Sequence, residues 1–234
     1  MITLGFESTA KIASVAITND KKVLASYSVD NGATQSELLL PMAESLLRSL
    51  NLSFSDVEIL TCSVGPGSFT GVRIGVSLVK GIAFKRNIPT IGVSSLEALA
   101  ENLRGLKGII VPCMDARRMQ VYTALFECDG EKITRLCEDM AISTDELQSR
   151  LSSYEERSIY IVGDGYDLVH RELSGKVSLE NTPKDLRLQK AESVCRVAVD
   201  KYLDGIREND LEIAPTYLRM PQAERERKER ENTK

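Results

Sequence analysis

The sequence is poor in the residues that build metal sites and histidine-assisted nucleophiles. It contains a single histidine, His170. One histidine cannot supply a histidine-cluster metal site, and it argues against a catalytic triad that uses histidine as its base. His170 lies in a polar, helix-like segment, YDLVHREL, which favours a solvated position on the surface of a helix.

The cysteines lack the spacing that a disulfide frame or a zinc site requires. There are five of them, none forms a CxxC pair, and they lie far apart, mostly in apolar runs: Cys62, Cys113, Cys128, Cys137 and Cys195. We therefore expect reduced core residues of a cytosolic protein. No signal peptide and no membrane-spanning apolar run is recognisable, so we expect a cytoplasmic protein with no membrane partner.

An excess of basic residues is also missing, since the net charge is −4 over 234 residues. A basic face normally supplies most of the affinity for nucleic acid, so this balance argues against unaided binding of RNA or DNA. Hydrophobic residues make up 42% of the chain and charged residues 27%. That composition supports a proper core in one large domain or two small ones.

The most informative stretch is Gly65–Gly75, which reads GPGSFTGVRIG. It follows an apolar run over 57–64 that has the length and β-branched content of a buried strand. Pro66 lacks a backbone donor and the glycines allow positive φ, so a turn follows. Ser68 or Thr70 can cap the apolar helix expected over 71–84. The unit is therefore strand, glycine turn, helix.

Two uses of this unit follow from its chemistry. The start of a helix can hold an anion, although this spacing alone favours an ordinary turn, and no Gly-Lys-Ser/Thr sequence closes a Walker loop. Glycines recur every four residues, at Gly67, Gly71 and Gly75. A glycine inside a helix costs about 1 kcal/mol relative to alanine, so we expect another backbone to pack closely at Gly71 and Gly75.

The order of elements predicts an α/β layer fold. Three strands form an antiparallel meander at the N-terminus, and the first half then reads α-β-α-β-α. The second half has strands expected over 108–115, 120–128, 132–142 and 158–162, with a short helix at Thr144 and a longer one over 191–203. A soft boundary near 101–107 divides the chain into an N-terminal lobe (1–103), a C-terminal lobe (104–219) and a charged, flexible tail (220–234). Whether the helix over 191–203 returns to the first lobe stays open.

Several motifs, in this order along the chain, resemble the TsaB family, also called YeaZ. They are GPGSFTGVRIG (65–75), GVSSLEALA (92–100), DARR (115–118) with Val121-Tyr122, Gly163-Asp164-Gly165 and PTYLR (215–219). The resemblance runs from the first strand to about Arg219. Two places depart from the family pattern: FEST (6–9) replaces an Asp-Thr-Ser turn, and QSELLLP (35–41) replaces a motif that usually begins with histidine.

The resemblance implies an actin/Hsp70/sugar-kinase-like (ASKHA) fold with two α/β lobes. It implies a non-catalytic subunit that binds a TsaD-like catalytic protein and acts with a TsaE-like ATPase to transfer a threonylcarbamoyl group to adenosine 37 of tRNAs that read ANN codons. ATP or ADP and the metal are then expected on the TsaD-like partner, and tRNA is met only through the complex. We expect no catalytic residue, metal or cofactor of its own, and a homodimer when the partner is absent.

Two sets of site residues follow from this resemblance. The expected partner interface comprises Leu39, Met42, Ala43, Leu46, Leu50, Gly71, Val72, Gly75 and Val79. Residual nucleotide contacts, if retained, would involve Glu7, Ser8, Thr9, Gly65, Gly67, Gly163, Asp164 and Gly165. Glu7 stands where actin-like ATPases use aspartate, which puts nucleotide binding in doubt. Replacing Gly75 with leucine is expected to abolish partner binding and leave the fold intact.

Two other function classes are alternatives to this interpretation. An active small-molecule kinase or ATPase of the same fold would use the Ser8-Thr9 turn and the two glycine turns to hold phosphates. The altered acid at Glu7 and the lack of an obvious general base stand against it. A peptidase would need a nucleophile with a base, or a metal, and a chain with one histidine offers neither.

Overall fold

The structure, a computed structural model, describes residues 1–219. The charged tail that the sequence predicts over 220–234 lies outside the described residues. Among residues 1–219, every helix is too short or too polar to cross a lipid bilayer.

The first sheet contains the predicted meander. Strands β1 (Ile2–Glu7), β2 (Ala13–Asn19) and β3 (Lys22–Val29) pair antiparallel in sequence, and β4 (Ile59–Gly65) and β5 (Thr90–Ser94) extend the sheet in parallel. The spatial order is β3-β2-β1-β4-β5. The predicted antiparallel meander is therefore confirmed, and it forms one edge of the sheet.

Two helices cover one face of this sheet. Helix α1 (Gln35–Ser49) and helix α2 (Phe69–Ala83) pack on the side of β1 that carries Leu4 and Phe6. Pro41 lies inside α1 with its ring exposed to solvent. The helix begins at Gln35, six residues before Pro41, so the proline lies in its second turn.

The second sheet is built around β6 (Gly108–Asp115). Strand β7 (Gln120–Thr123) pairs antiparallel with the C-terminal part of β6, and β8 (Phe126–Cys128) pairs antiparallel with its N-terminal part. Both pairings keep one register, because Cys113 lies opposite Thr123 and Ile110 lies opposite Phe126. The two short strands are thus one interrupted row.

The prediction of a single strand over 120–128 is wrong, because the structure has two strands there. Pro112 on the neighbouring strand gives the reason. The N–H of Ile109 donates to Ser158 on the other side of β6, at 2.8 Å. Backbone N–H groups point to alternate sides along a strand, so the backbone nitrogen of residue 112 faces β7 and β8. Proline has no N–H to donate, so the ladder is interrupted at this point.

The strand predicted over 132–142 is also divided in the structure. It consists of β9 (Ile133–Arg135), which pairs with β8, and β10 (Met140–Ser143), which pairs with β7. Strands β8 and β9 pair antiparallel and are joined by a turn that contains Asp129-Gly130, where Gly130 has a positive φ. Strand β11 (Ile159–Val162) pairs parallel with β6 on its other side.

Four further helices complete the two lobes. Helix α3 (Ser95–Glu101) is capped by Ser94, whose side chain accepts hydrogen bonds from two backbone N–H groups. Helices α4 (Thr144–Leu151) and α5 (Tyr166–Leu173) cover the second sheet. Helix α6 (Ala191–Leu203) returns to the first sheet. His170 is exposed on α5, as the sequence predicts.

The face of the first sheet under α6 is lined by small residues. Gly5 lies so close to α6 that a Cβ atom there would come within 2.5 Å of the Cys195 sulfur. Ala16 and Ala191 belong to the same buried cluster. Because side chains alternate across a strand, this small-residue face lies opposite the face that carries Leu4 and Phe6. The helix can therefore lie very near the strand backbone.

The cysteines are free, as predicted from their spacing. Four are buried and only Cys137 is partly exposed.

Candidate partner-binding groove and interlobe cleft

The glycines of α2 pack against the turn between β1 and β2. Ser68 caps the helix by accepting from the N–H of Gly71 at 3.3 Å, which confirms the predicted cap. A Cβ atom on Gly71 would overlap the carbonyl oxygen of Ser8, and one on Gly75 would lie 2.8 Å from the Ser8 Oγ. The same Oγ donates to the carbonyl oxygen of Gly71 at 2.8 Å. The predicted close backbone approach is present, but the backbone belongs to this chain.

This packing corrects the predicted partner interface at the level of residues. Leu50 is partly buried against the core of the first lobe. The other predicted interface residues are buried inside the chain: Leu39, Met42, Ala43, Leu46, Gly71, Val72, Gly75 and Val79. An amphipathic helix turns its apolar stripe toward its own sheet first. The expectation for Gly75→Leu stays a prediction, and the 2.8 Å approach means that the new side chain would have to move the Ser8 side chain.

The surface that the two helices present outward shares only Leu39 with the predicted interface. A groove of about 550 Å³ lies between α1 and α2. It is lined by Ser36, Leu39, Phe69, Thr70, Arg73, Ile74, Ser77 and Leu78. Ile74 and Leu78 are partly exposed and Ser77 is exposed, so apolar walls flank a small residue. Further along the outer ridge of α2, Gly81 has open space where a Cβ atom would lie.

A second concavity lies between the lobes. This interlobe cleft has a volume of about 740 Å³ and takes its walls from both sheets' connecting turns. Of the predicted nucleotide contacts, it is lined by Thr9, Gly67 and Asp164. The structure thus brings these three together and places the other predicted contacts behind the cleft wall.

Glu7 is fully buried and its carboxylate is satisfied from within the first lobe. One oxygen accepts from the backbone N–H and the hydroxyl of Thr9, both at 2.6 Å, and the other accepts from the hydroxyl of Ser63. Burial raises the pKa of this carboxyl group, and the nearby charge of Asp164 adds to the rise. Glu7 therefore holds its own turn together and does not fit a role in holding a metal-bound phosphate.

The glycines around Asp164 also serve internal packing. The N–H of Gly163 donates to the Arg187 carbonyl at 2.7 Å, and the N–H of Gly165 donates to the Cys113 carbonyl at 2.9 Å. These donors are thus occupied by the chain itself. The surrounding walls desolvate the Asp164 carboxylate and raise its pKa, while Gln189 donates to it at 3.3 Å.

Within residues 1–219, no three histidine, cysteine, aspartate or glutamate side chains are grouped so that they could hold a metal ion.

Sequence reasoning missed the structural role of residues 215–219, which we call the strap. The N–H of Thr216 donates to the Val64 carbonyl at 2.7 Å, at the end of β4. Tyr217 stacks on Phe69 with ring centroids 4.7 Å apart, and its hydroxyl accepts from Arg73 at 2.8 Å. The strap is thus fixed to the first turn of α2.

The far end of the strap reaches the second lobe. Arg219 donates to the carbonyl oxygen of Ala116 at 2.7 Å and to the side chain of Gln120. Its guanidinium lies 5.6 Å from the ring centre of Tyr122. The PTYLR sequence was the available signal, but an extended segment without periodicity does not reveal what it contacts.

Comparison with known proteins gives a consistent family. The family model described as "TsaD: tRNA N6-adenosine threonylcarbamoyltransferase" matches residues 31–226. The chain is 32% identical over 173 residues to the tRNA threonylcarbamoyladenosine biosynthesis protein TsaB of Bacillus subtilis, covering 74% of this chain and 75% of that protein. It is 28% identical over 221 residues to the protein of the same name from Escherichia coli, covering 94% and 95%.

A solved structure shows the same fold. The Pseudomonas aeruginosa protein described as uncharacterized "with similarity to peptidase YEAZ" superposes with a TM-score of 0.79 at 24% identity, covering 93% of this chain and 99% of that one. The two mixed α/β sheets agree with the two-lobed α/β architecture that the resemblance implied.

Proposed function

The chain belongs to the TsaB (YeaZ) family of tRNA threonylcarbamoyladenosine biosynthesis proteins, and from that premise we propose that it is a non-catalytic scaffold subunit. The complex it serves transfers a threonylcarbamoyl group to adenosine 37 of tRNAs that read ANN codons. Its direct partner is a TsaD-like catalytic subunit, which holds the ATP or ADP and the metal.

The groove between α1 and α2 is the observation that carries this proposal. The inward faces of both helices are already filled by the core of the first lobe, yet Ile74 and Leu78 still present apolar surface outward. Leu40, on the outer side of α1, is 38% exposed. Contiguous apolar surface of this kind marks a protein interface, and a partner helix fits between two helices.

The buried state of Glu7 supports the absence of catalysis. In an actin-like ATPase the acid at this position must face the phosphates, whereas Glu7 accepts three hydrogen bonds from Thr9 and Ser63 and has no exposed surface. The kinase or ATPase alternative therefore gains no support from the cleft. A peptidase gains none from a chain with a single, exposed histidine.

The remaining parts of the proposal concern assembly. A TsaE-like ATPase joins the pair, tRNA is contacted through the complex, and the assembly works in the cytoplasm. When the partner is absent, a second copy of this chain covers the groove, because an exposed apolar helix pair favours self-association.

Light scattering behind size exclusion tests the proposal, on this chain alone and mixed with the TsaD-like protein from the same cells. We expect a homodimer that converts to a one-to-one heterodimer. Ser77→Arg places a long charged side chain in the groove and should weaken heterodimer binding by more than about tenfold, the scale of a central interface residue.

Ser149→Arg is the matched control, because Ser149 is an exposed helix serine on α4 in the second lobe. It should leave both assemblies unchanged. If Ser77→Arg binds the partner as tightly as the unmodified chain, the groove is not the interface. If the unmodified chain ignores the TsaD-like protein, the scaffold function itself is wrong.

A further inference from the structure

The strap joins the lobes at a place separate from their other connections. Elsewhere, α3 links them: Glu97 pairs with Arg135 of the second lobe at 3.8 Å, and Ser94 donates to Asp139 at 2.6 Å. The strap begins at β4 in the first lobe and ends with Arg219 on the turn between β6 and β7. The strap is thus one of several ties between the lobes, beside those of α3 and of Asn102 with Leu186 and Leu188, and it is only five residues long.

The strap also contacts both concave surfaces. Phe69 lines the groove between α1 and α2 and lines the interlobe cleft as well. Tyr217 stacks on Phe69, and Arg73, which donates to Tyr217, is another groove residue. At the other end, Tyr122 lies beneath Arg219 and lines the cleft. A change in the width of the cleft would therefore move Phe69 and Arg73, which line the groove.

The turn that receives Arg219 has an unfavourable backbone. The φ values of Arg117, Arg118 and Met119 are 64°, 55° and 57°. Residues other than glycine rarely adopt such values. Arg219 bonds to the residues at both ends of this turn, Ala116 and Gln120. Such conformations persist where surrounding contacts impose them, and they concentrate at switch regions.

We propose that the strap is a latch that couples the angle between the two lobes to the shape of the groove, so that lobe closure and partner docking favour each other. This inference rests on the proposed function for the identity of the partner, a TsaD-like protein. The latched form, with Phe69 and Arg73 held by Tyr217, is the form the partner binds. Partner binding in turn tightens the latch, since coupling between two sites is reciprocal.

Spin-label distances and calorimetry test the latch in the full chain. Lys22→Cys in the first lobe and Ser153→Cys in the second carry the labels, in a Cys137→Ala background that removes the partly exposed thiol. In the free chain, Arg219→Ala should broaden the distribution of distances between the labels. It should also weaken binding of the TsaD-like protein by about fivefold or more, the usual scale of coupling between sites. Saturating partner should narrow the distribution again.

Arg118→Ala is the matched control, because it removes a guanidinium from an exposed position of the same turn. It should change neither the distances nor the affinity. If circular dichroism shows that Arg219→Ala does not fold, Arg219→Lys replaces it, since lysine keeps the charge but cannot bond both acceptors with a planar fork.

The outcomes separate the latch from the function. If the Arg219 variant matches the unmodified chain in both distance and affinity, the strap is not a latch. If the distances broaden and the affinity stays the same, the coupling to the groove is overturned. If the unmodified chain does not bind the TsaD-like protein, the proposed function fails, and the free-chain distances still decide whether the strap holds the lobes.

Discussion

Glu7 shows that a family position does not determine what a side chain does there. The sequence places it at the acid position of actin-like ATPases, but the structure gives its carboxylate to Thr9 and Ser63. The Ser63 partner could not be assigned from the sequence, because Ser63 is distant in the chain and meets Glu7 only through the pairing of β1 with β4. The aspartate-to-glutamate change was the one available signal.

The buried carboxyl group makes stability depend on pH. Burial raises the folded-state pKa of Glu7 above its ordinary value of 4.5. The stability it contributes is therefore fully present below that ordinary value and is lost as pH rises through the folded pKa. Glu7→Gln stays neutral, so its free energy of unfolding, relative to the unmodified chain, should increase from pH 4 to pH 7.

Urea unfolding at several pH values measures this difference. Glu44→Gln, at an exposed position of α1, is the control and should show no comparable trend. A Glu7→Gln difference that stays flat across the range, or falls, would mean that the carboxyl group is not desolvated.

The reactivity of the thiol groups should show which cysteines are buried in the core. Cys113 is buried and its pKa is raised to about 12 by burial, and burial also raises the pKa of Cys62 and Cys195. Because the thiolate is the reactive form, we expect a disulfide reagent to modify only Cys137 in the native chain and all five cysteines after unfolding. Rapid modification of two or more native thiols would contradict the packing described.

At the scale of elements, α2 was correctly predicted to be a helix, but the face that carries Gly71 and Gly75 was wrongly predicted to point outward. Glycine spacing indicates that a backbone approaches a helix, but the spacing is the same whether that backbone belongs to a partner or to the chain's own turn. Only the tertiary arrangement of α2 and the β1–β2 turn decides it. The strand predicted over 120–128 failed for a related reason, because the interruption is imposed by Pro112 on a neighbouring strand.

The two kinds of glycine on α2 should respond oppositely to alanine. Gly81 faces open space, so Gly81→Ala should raise the free energy of unfolding by about 1 kcal/mol through helix propensity. Gly71→Ala would drive a methyl group into the carbonyl of Ser8 and should lower it by about 2 kcal/mol or more.

Chemical denaturation followed by circular dichroism measures both, since the chain has no tryptophan for fluorescence. Equal effects at the two positions would contradict the orientation of the helix.

At the scale of the whole molecule, the first lobe is assembled from two distant parts of the chain. The meander, α1 and α2 were predictable from periodicity and turn residues within the first hundred positions. The return of α6 was not, because nothing in the 191–203 sequence distinguishes one sheet from the other as its partner. The small-residue face around Gly5, against which α6 packs, can be recognised only once the strands are paired.

A fragment of residues 1–103 should therefore not fold alone, since it lacks the helix that covers one face of its sheet. We expect poorly dispersed amide signals in its NMR spectrum. Joining 1–103 to 191–214 through a flexible Gly/Ser linker should restore dispersion, because this piece supplies α6 and the buried Ile213. If the fragment without α6 is well folded, the helix is an accessory and not part of the first lobe.

The position of α6 has a consequence for the order in which a ribosome delivers this protein. The sheet that is synthesised first waits for a helix that leaves the ribosome about a hundred residues later, roughly 5–20 s at ordinary rates of translation. Throughout that interval, the face around Gly5 is open to other nascent chains. The second lobe can form in the meantime, so the first lobe to emerge is the last to be completed.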